Sequence, residues 1–357
     1  MIYVLSANLD IKNEKDEIHS LRFQTAVKAV KKLLGKNNKV VVISHHGRPK
    51  GFDKKLSLKP LEKLFEHELK KDVIFFKDFN FKKMRMDIKD AKPGTVFLLE
   101  NLRFLDGETK NSLKLGKDLA SLGDIFINDD FATAHRKNAS NFAITKFIPS
   151  RMGETFKSEV TNLSRAIKSP MRPFTLIIGG AKMADKMGVV NNLLPKIDHL
   201  LLGGGPANTF LKASGYDIQD SIYEPEMVGI SKRMLNNKKI VMPVDWIYKR
   251  TKISDIGKDT SKLYSSIIQL AKLVIWSGPM GVFEDDKFAQ GSDRVARAIA
   301  KSGAYSIIGG GDTTRVIDKL KLNKKINFIS TGGGAMLDFL AGKKMPALEA
   351  LKHKSRK

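Results

Sequence analysis

A chain of 357 residues, 42% of them hydrophobic, can supply the cores of two α/β domains. It has no cysteine, which excludes a disulfide framework, thiolate catalysis and Cys-ligated metal. The net charge of +25 raises nucleic acid as a partner, but the lysines form no dense basic block and no aromatic stacking platforms are interleaved with them, which argues against it.

The first apolar run, MIYVLSA (1–7), lacks the basic leader and long apolar stretch of a signal peptide and reads as a strand. KVVVIS (39–44), DVIFFK (72–77), TVFLLE (95–100) and DIFIND (124–129) follow, each with a helical pattern after it. The amphipathic stretch 154–168 then leads to SPMRP (169–173), whose two prolines mark a helix end and a new strand. Beyond it come FTLIIG (174–179), HLLLGG (199–204), KIVMPV (239–244), LVIWSG (273–278), YSIIGG (305–310) and NFISTG (327–332). Runs that are apolar throughout suit strands buried on both sheet faces. Their alternation with helices predicts an α/β protein with parallel sheets and right-handed crossovers, and the strands are too many for one sheet. Apolar runs of four or five residues, such as VVVI (40–43), are far short of a membrane span, so a cytoplasmic protein is expected.

The first-half strands deliver arginines at their ends, in SHHGRP (44–49), LENLRF (99–104) and FINDDFATAHRKNAS (126–140). Arg48, Arg103 and Arg136, joined by Arg22 from the first helix, form a guanidinium basket suited to a small, doubly charged molecule. One arginine is more often a surface ion pair; four arriving from strand ends and a helix are hard to explain that way.

The second-half strands end in glycine: IIGGAK (177–182), LLGGGP (201–206), IWSGPMGVFE (275–284), IIGGGDTT (307–314) and ISTGGGAM (329–336). Ligands of open α/β sheets sit beyond the carboxyl ends of the strands, where glycines let backbone N–H groups approach phosphates. The pattern points to a nucleotide, although none of these loops fits a P-loop or the dinucleotide fingerprint. Lys182 and Lys186, four residues apart, are expected on one face of a short helix, where they would flank phosphates or be plain solvated cations. Asp312, after three glycines, could hold Mg²⁺ or be a helix N-cap. Glu284 could accept from ribose hydroxyls or be a surface carboxylate.

In this order, SHHGRP, LENLRF, NDDFATAHR, GGAKMADK, LLGGGPANTF, MPVDW, WSGPMGVFE, GGGDTT and STGGGA resemble the phosphoglycerate kinase family over essentially the whole chain. The resemblance implies two Rossmann-like domains, 1–153 for phosphoglycerate and 169–344 for nucleotide, joined by a hinge helix at 154–168, with the tail 345–357 returning to the first domain. It implies a monomeric enzyme that transfers a phosphoryl group between 1,3-bisphosphoglycerate and ADP, with Mg²⁺, and that must close to do so. Carried over by position, Asn8, Arg22, His45, Arg48, Arg103 and Arg136 fall at the phosphoglycerate. Gly180, Lys182, Lys186, Gly204, Glu284, Gly310, Gly311, Asp312 and Thr313 fall at the nucleotide, with Asp312 at the metal. Arg22 and Lys182 carry the catalytic assignment. The chain departs from the family's R-x-D-x-N-x-P, with Val4, Ser6 and Asp10 at the Arg, Asp and Pro positions, and from WNGP, with Ser277 replacing Asn.

Overall fold

The computed structural model describes residues 1–11, 20–35 and 37–354. The last residues of the expected tail, 355–357, lie outside the described residues. The chain forms two compact units, Met1–Val160 with Lys344–Lys357, and Thr161–Lys343. The division falls inside the helix Glu154–Lys168.

In the first unit the strands are β1 (Ile2–Ser6), β2 (Lys39–Ile43), β3 (Val73–Phe76), β4 (Val96–Leu99), β5 (Ile125–Asn128) and β6 (Ser150–Met152). They pair in the order β3-β4-β2-β1-β5-β6, parallel throughout. Alternate residues of one strand enter opposite cores, as the period of two requires. Leu5, Val40, Val42 and Leu98 pack with Phe23 and Phe65 on one face. Val4, Val41, Ile43 and Phe97 pack with Leu119, Phe126 and Ile144 on the other. The helix Leu21–Leu34 reaches the sheet with Phe23, Ala26, Val27, Val30 and Leu34, a one-sided apolar stripe. The helix Pro346–Lys354 belongs to this unit, where the Ala347 N–H donates to the Ala134 carbonyl at 3.2 Å.

The second unit contains β7 (Phe174–Ile178), β8 (His199–Leu202), β9 (Ile240–Val241), β10 (Trp246–Lys249), β11 (Lys252–Ile256), β12 (Leu273–Ser277), β13 (Tyr305–Gly309) and β14 (Phe328–Ser330). Its main sheet runs β14-β13-β12-β7-β8-β9 and is also parallel. One core gathers Trp276, Tyr264, Ile177, Leu201, Val274 and Ile308. The Tyr264 hydroxyl, buried within it, donates to the Leu202 carbonyl at 2.7 Å.

Each apolar run read from the sequence holds a strand, although KIVMPV shortens to Ile240–Val241. Two features are additional. β6 has only three residues and no apolar run to announce it. β10 and β11 form an antiparallel hairpin on Trp246–Ile256, where β10 is largely exposed and Lys and Arg interrupt the alternation.

Candidate active site

In the first unit the site lies past the carboxyl ends of β1, β2, β4 and β5. Beyond β1 the chain turns locally, with the Asp10 N–H donating to Asn8 Oδ1 at 3.1 Å. The Asp10 carboxylate then accepts from the Gly47 N–H at 3.0 Å. Arg22 Nη1 donates to the Asp10 carbonyl, and Arg103 Nη1 donates to the Gly47 carbonyl. Asn101, fully buried, fastens the β2 and β4 loops together. Its Oδ1 accepts from the His46 and Arg103 N–H groups, each at 3.1 Å, and its Nδ2 donates to the His46 carbonyl at 2.7 Å.

His45 is buried, with Nδ1 3.7 Å from Asp130 Oδ2. Burial pulls its pKa below the ordinary value, against the opposing charges of Asp130 and Asp10, so the ring is neutral near pH 7. Burial likewise lowers Arg103, while Asp10 is the largest charge opposing that shift and Arg136 adds to it. The Asp10 carboxyl is pushed up by burial, yet the Gly47 N–H and the charges of His45, Arg22 and His46 outweigh this and hold it below the usual carboxylate range. Asn8, Arg22, His45, Arg103 and Arg136 are thus linked by bonds or charge in one neighbourhood. Arg136 is exposed, and its Nε donates to His135 at 3.0 Å. Arg48 is exposed and, among the described residues, makes no hydrogen bond or ion pair with this group.

The second unit builds its site from main chain. The Gly180 N–H donates to the Pro279 carbonyl at 2.7 Å, the Gly204 N–H to Met280 at 2.9 Å and the Gly205 N–H to Gly180 at 2.8 Å. These loops touch so closely that a Cβ on Gly204 would lie 2.5 Å from the Gly180 oxygen, and its φ of +55° is itself left-handed. Thr313, buried, accepts from the Gly278 N–H at 2.7 Å, tying the β13 loop to the β12 loop. A cavity of about 260 Å³ opens beside these loops, lined by Gly180, Gly204, Trp246, Phe283, Glu284 and Asp312 among others.

The structure corrects the expected placement of the two lysines. The helix starts at Ala184, so Lys182 precedes it and only Lys186 is helical. They still meet, because Lys186 Nζ donates to the Lys182 carbonyl at 3.2 Å. Lys186 is half-buried and burial lowers its pKa, against the charges of Asp185, Glu224 and Asp312. The Glu224 carboxylate accepts from the Met183 and Ala184 N–H groups, which fixes the start of this helix.

Asp312 is not an N-cap. Gly310 occupies that position, and Asp312 lies exposed in the first turn of the helix Gly311–Lys319, paired with Arg315 at 2.6 Å. Arg315 also stands 4.0 Å from Glu284 and lies over the Phe283 ring. Among the described residues no group of three or more acidic or His side chains could hold a metal, so Asp312 is a single carboxylate on a glycine-rich edge. Such a site fits Mg²⁺, which is commonly held by one or two carboxylates plus substrate phosphates.

Sequence reasoning gave no role to Asp10, Glu224, Trp246, Asp255 and Arg315. Asp255, buried under the cavity, accepts from the Ile256 and Gly291 N–H groups at 2.9 and 2.7 Å, and burial pushes its carboxyl up to about 7. The signal for Arg315 was its i, i+3 spacing from Asp312.

Two parallel α/β units, one with arginines and the other with glycine loops and lysines at the strand ends, define a protein for anionic ligands. The chain belongs to the phosphoglycerate kinase family, whose model matches residues 5–343. It is therefore an enzyme of the kinase class. It is 42% identical over 353 residues to the phosphoglycerate kinase of Clostridium kluyveri, covering 91% of this chain and 89% of that one. It is 37% identical over 375 residues to that of Francisella tularensis subsp. holarctica, covering 98% and 94%. Among solved structures, the phosphoglycerate kinase of Pyrococcus horikoshii OT3 superposes with a TM-score of 0.88 at 32% identity, covering 100% of this chain and 97% of that one. That of Coxiella burnetii superposes with a TM-score of 0.85 at 35% identity, covering 99% and 96%.

Proposed function

We propose that this chain performs the reaction of its family, Mg²⁺-dependent reversible phosphoryl transfer from 1,3-bisphosphoglycerate to ADP, giving 3-phosphoglycerate and ATP. What carries the reading is the second unit's edge, where several glycine loops and Asp312 line one cavity, with Lys182 and Lys186 just past the Gly180 loop. In this assignment residues 1–153 with the tail bind phosphoglycerate, residues 169–344 bind nucleotide and the helix at 154–168 is the hinge.

Asn8, His45, Arg48, Arg103 and Arg136 hold the carboxyl, hydroxyl and phosphate groups of the phosphoglycerate. Neutral His45 serves as a hydrogen-bonding group rather than a charge, which its burial supports. Gly180, Gly204, Gly310, Gly311 and Thr313 shape the loops around the nucleotide, Glu284 takes the ribose and Lys186 holds the phosphates. Arg22 and Lys182 follow the phosphoryl group between its donor and acceptor oxygens. No covalent intermediate is needed, since catalysis here is positioning plus stabilisation of charge on the equatorial oxygens. Asp312 would hold Mg²⁺, which would neutralise part of that charge. A monomeric cytoplasmic enzyme with small, water-soluble substrates completes the proposal.

A coupled assay with purified protein, Mg²⁺, ATP and 3-phosphoglycerate tests it. The expected outcome is turnover that disappears with EDTA. Nucleotide binding without turnover in well-folded protein would mark a binding relative instead.

A further inference from the structure

The arginine-lined site contains an anion of its own. Asp10 is held at three points: its N–H on Asn8 Oδ1, its carbonyl under Arg22 and its carboxylate on the Gly47 N–H. The carbonyl of the same Gly47 takes Arg103. Two basket arginines, on the first helix and after β4, thus hang from opposite ends of one Asp10–Gly47 bridge. That bridge joins the loop after β1 to the loop after β2. Gly47 has a φ of +63°, and a Cβ on it would meet the Leu56 side chain at 2.8 Å, so the loop is tightly packed against its neighbour.

The carboxylate's hydrogen bond goes to a backbone N–H and not to a guanidinium. It therefore leaves guanidinium N–H groups for a ligand while its charge offsets the mutual repulsion of Arg103, Arg136 and Arg22. The first strand ends at Ser6, and this carboxylate follows four residues on, in the loop beyond it.

We propose that Asp10 is a positioning residue of the phosphoglycerate site, tethering the Gly47 loop and through it setting Arg103 against Arg22. The inference rests on the reading of this site as the phosphoglycerate site, but the tether itself can be read without ligand. The Arg22 contact is to the Asp10 main chain and survives side-chain replacement, so the effect falls on substrate binding rather than on transfer.

Two full-length variants separate tether from charge. Asp10→Ala removes both, whereas Asp10→Asn keeps an Oδ1 acceptor for Gly47. In Asp10→Ala, KM for 3-phosphoglycerate is expected to rise about tenfold, with kcat and the KM for ATP within about threefold. Asp10→Asn should restore KM to within about threefold of wild type. In the free protein the Gly47 amide should exchange faster in Asp10→Ala and keep its protection in Asp10→Asn. Should Asp10→Ala not fold, Asp10→Ser, whose hydroxyl is a bond shorter, replaces it. Unchanged Gly47 protection in the short variant overturns the tether. A loosened Gly47 with unchanged or lower KM overturns the positioning role, as does an Asn variant as impaired as Ala. A wild type without turnover on 3-phosphoglycerate would sink the functional reading, while the amide measurement still decides the tether.

Discussion

In the proposed assignment the two units hold anions by different means. The first uses side chains: arginines, a neutral histidine, and carboxylates at Asp10, Glu108 and Asp130 whose charges act on Arg103. The second is built mainly from main chain: glycine loops hydrogen-bonded to one another, with Lys182, Lys186, Glu284 and Asp312 at their edge. A site of side chains can be changed one group at a time, each with its own charge and pKa. A site of main chain changes only when the backbone itself is moved. The comparison teaches that the first unit should show graded, chemically specific responses and the second unit steric, all-or-none ones.

The sharpest test takes the cation on each side that the proposal assigns to the transferring group. Arg22→Ala and Lys182→Ala should each lower kcat about a hundredfold or more, since losing one donor to developing charge costs roughly 3 kcal/mol. Titration calorimetry should find ADP binding little changed in both, because the proposal gives both cations to the phosphoryl group in transfer and leaves the diphosphate to the glycine loops and Lys186. If Lys182→Ala abolished ADP binding instead, the second site would depend on side chains as much as the first.

Next in size is a backbone change. Gly204→Ala places a methyl 2.5 Å from the Gly180 oxygen at a left-handed φ, so the two loops must separate. Strain of this kind costs about 1–3 kcal/mol. ADP binding should weaken tenfold or more, while 3-phosphoglycerate binding to the same protein stays as in wild type. Equal loss of both ligands would show general unfolding and remove the contrast.

How much of this was legible differs between the units for the same reason. Parallel strands buried on both faces must be apolar throughout, so they announce themselves, and the arginines and glycines just past them followed at once. The hairpin Trp246–Ile256 did not, because strands with exposed positions carry no continuous apolar run. Lys182 was expected on the helix because sequence spacing says nothing of where a cap falls, and here Glu224, distant in sequence, caps it. Asp10 and Asp255 were invisible for a related reason. A carboxylate taken up by a backbone N–H looks, in sequence, like any solvated acid.

Buried acids supply a smaller effect. The Asp255 carboxyl, pushed up by burial to about 7, titrates near 4 when unfolded. Between those values the folded chain holds a proton that the unfolded one lacks. Its contribution to stability is therefore complete below about pH 4 and is lost as the pH rises through about 7. Asp129, pushed up to about 6, acts likewise over a lower window. His45, lowered by burial, has the opposite sign: its contribution is present above its unfolded value and is lost as the pH falls. Asp255→Asn should thus flatten the difference in unfolding free energy between about pH 6 and 7 by roughly 1 kcal/mol, read from urea melts of variant against wild type. No change of slope would mean that Asp255 is ionised in the fold.

The smallest effect concerns Arg315, a charged side chain at the second unit's glycine edge. Its guanidinium pairs with Asp312 at 2.6 Å and stands 4.0 Å from Glu284, while its plane lies over Phe283. In the proposed assignment Asp312 is the metal carboxylate, so Mg²⁺ and Arg315 compete for the same oxygens. Both partners are more than half exposed, and exposed pairs are weak, so displacement is easy. Arg315→Ala should lower the Mg²⁺ concentration for half-maximal activity by no more than about fivefold. The fall should shrink as salt is raised, since exposed charges are screened. Arg315→Lys keeps the charge but loses the planar stack on Phe283, and should lie between the two. If Arg315→Ala instead raised the Mg²⁺ requirement, the arginine would be holding the nucleotide phosphates rather than guarding the carboxylate. The second site would then owe a further part of its affinity to a side chain, and the contrast between the units would narrow.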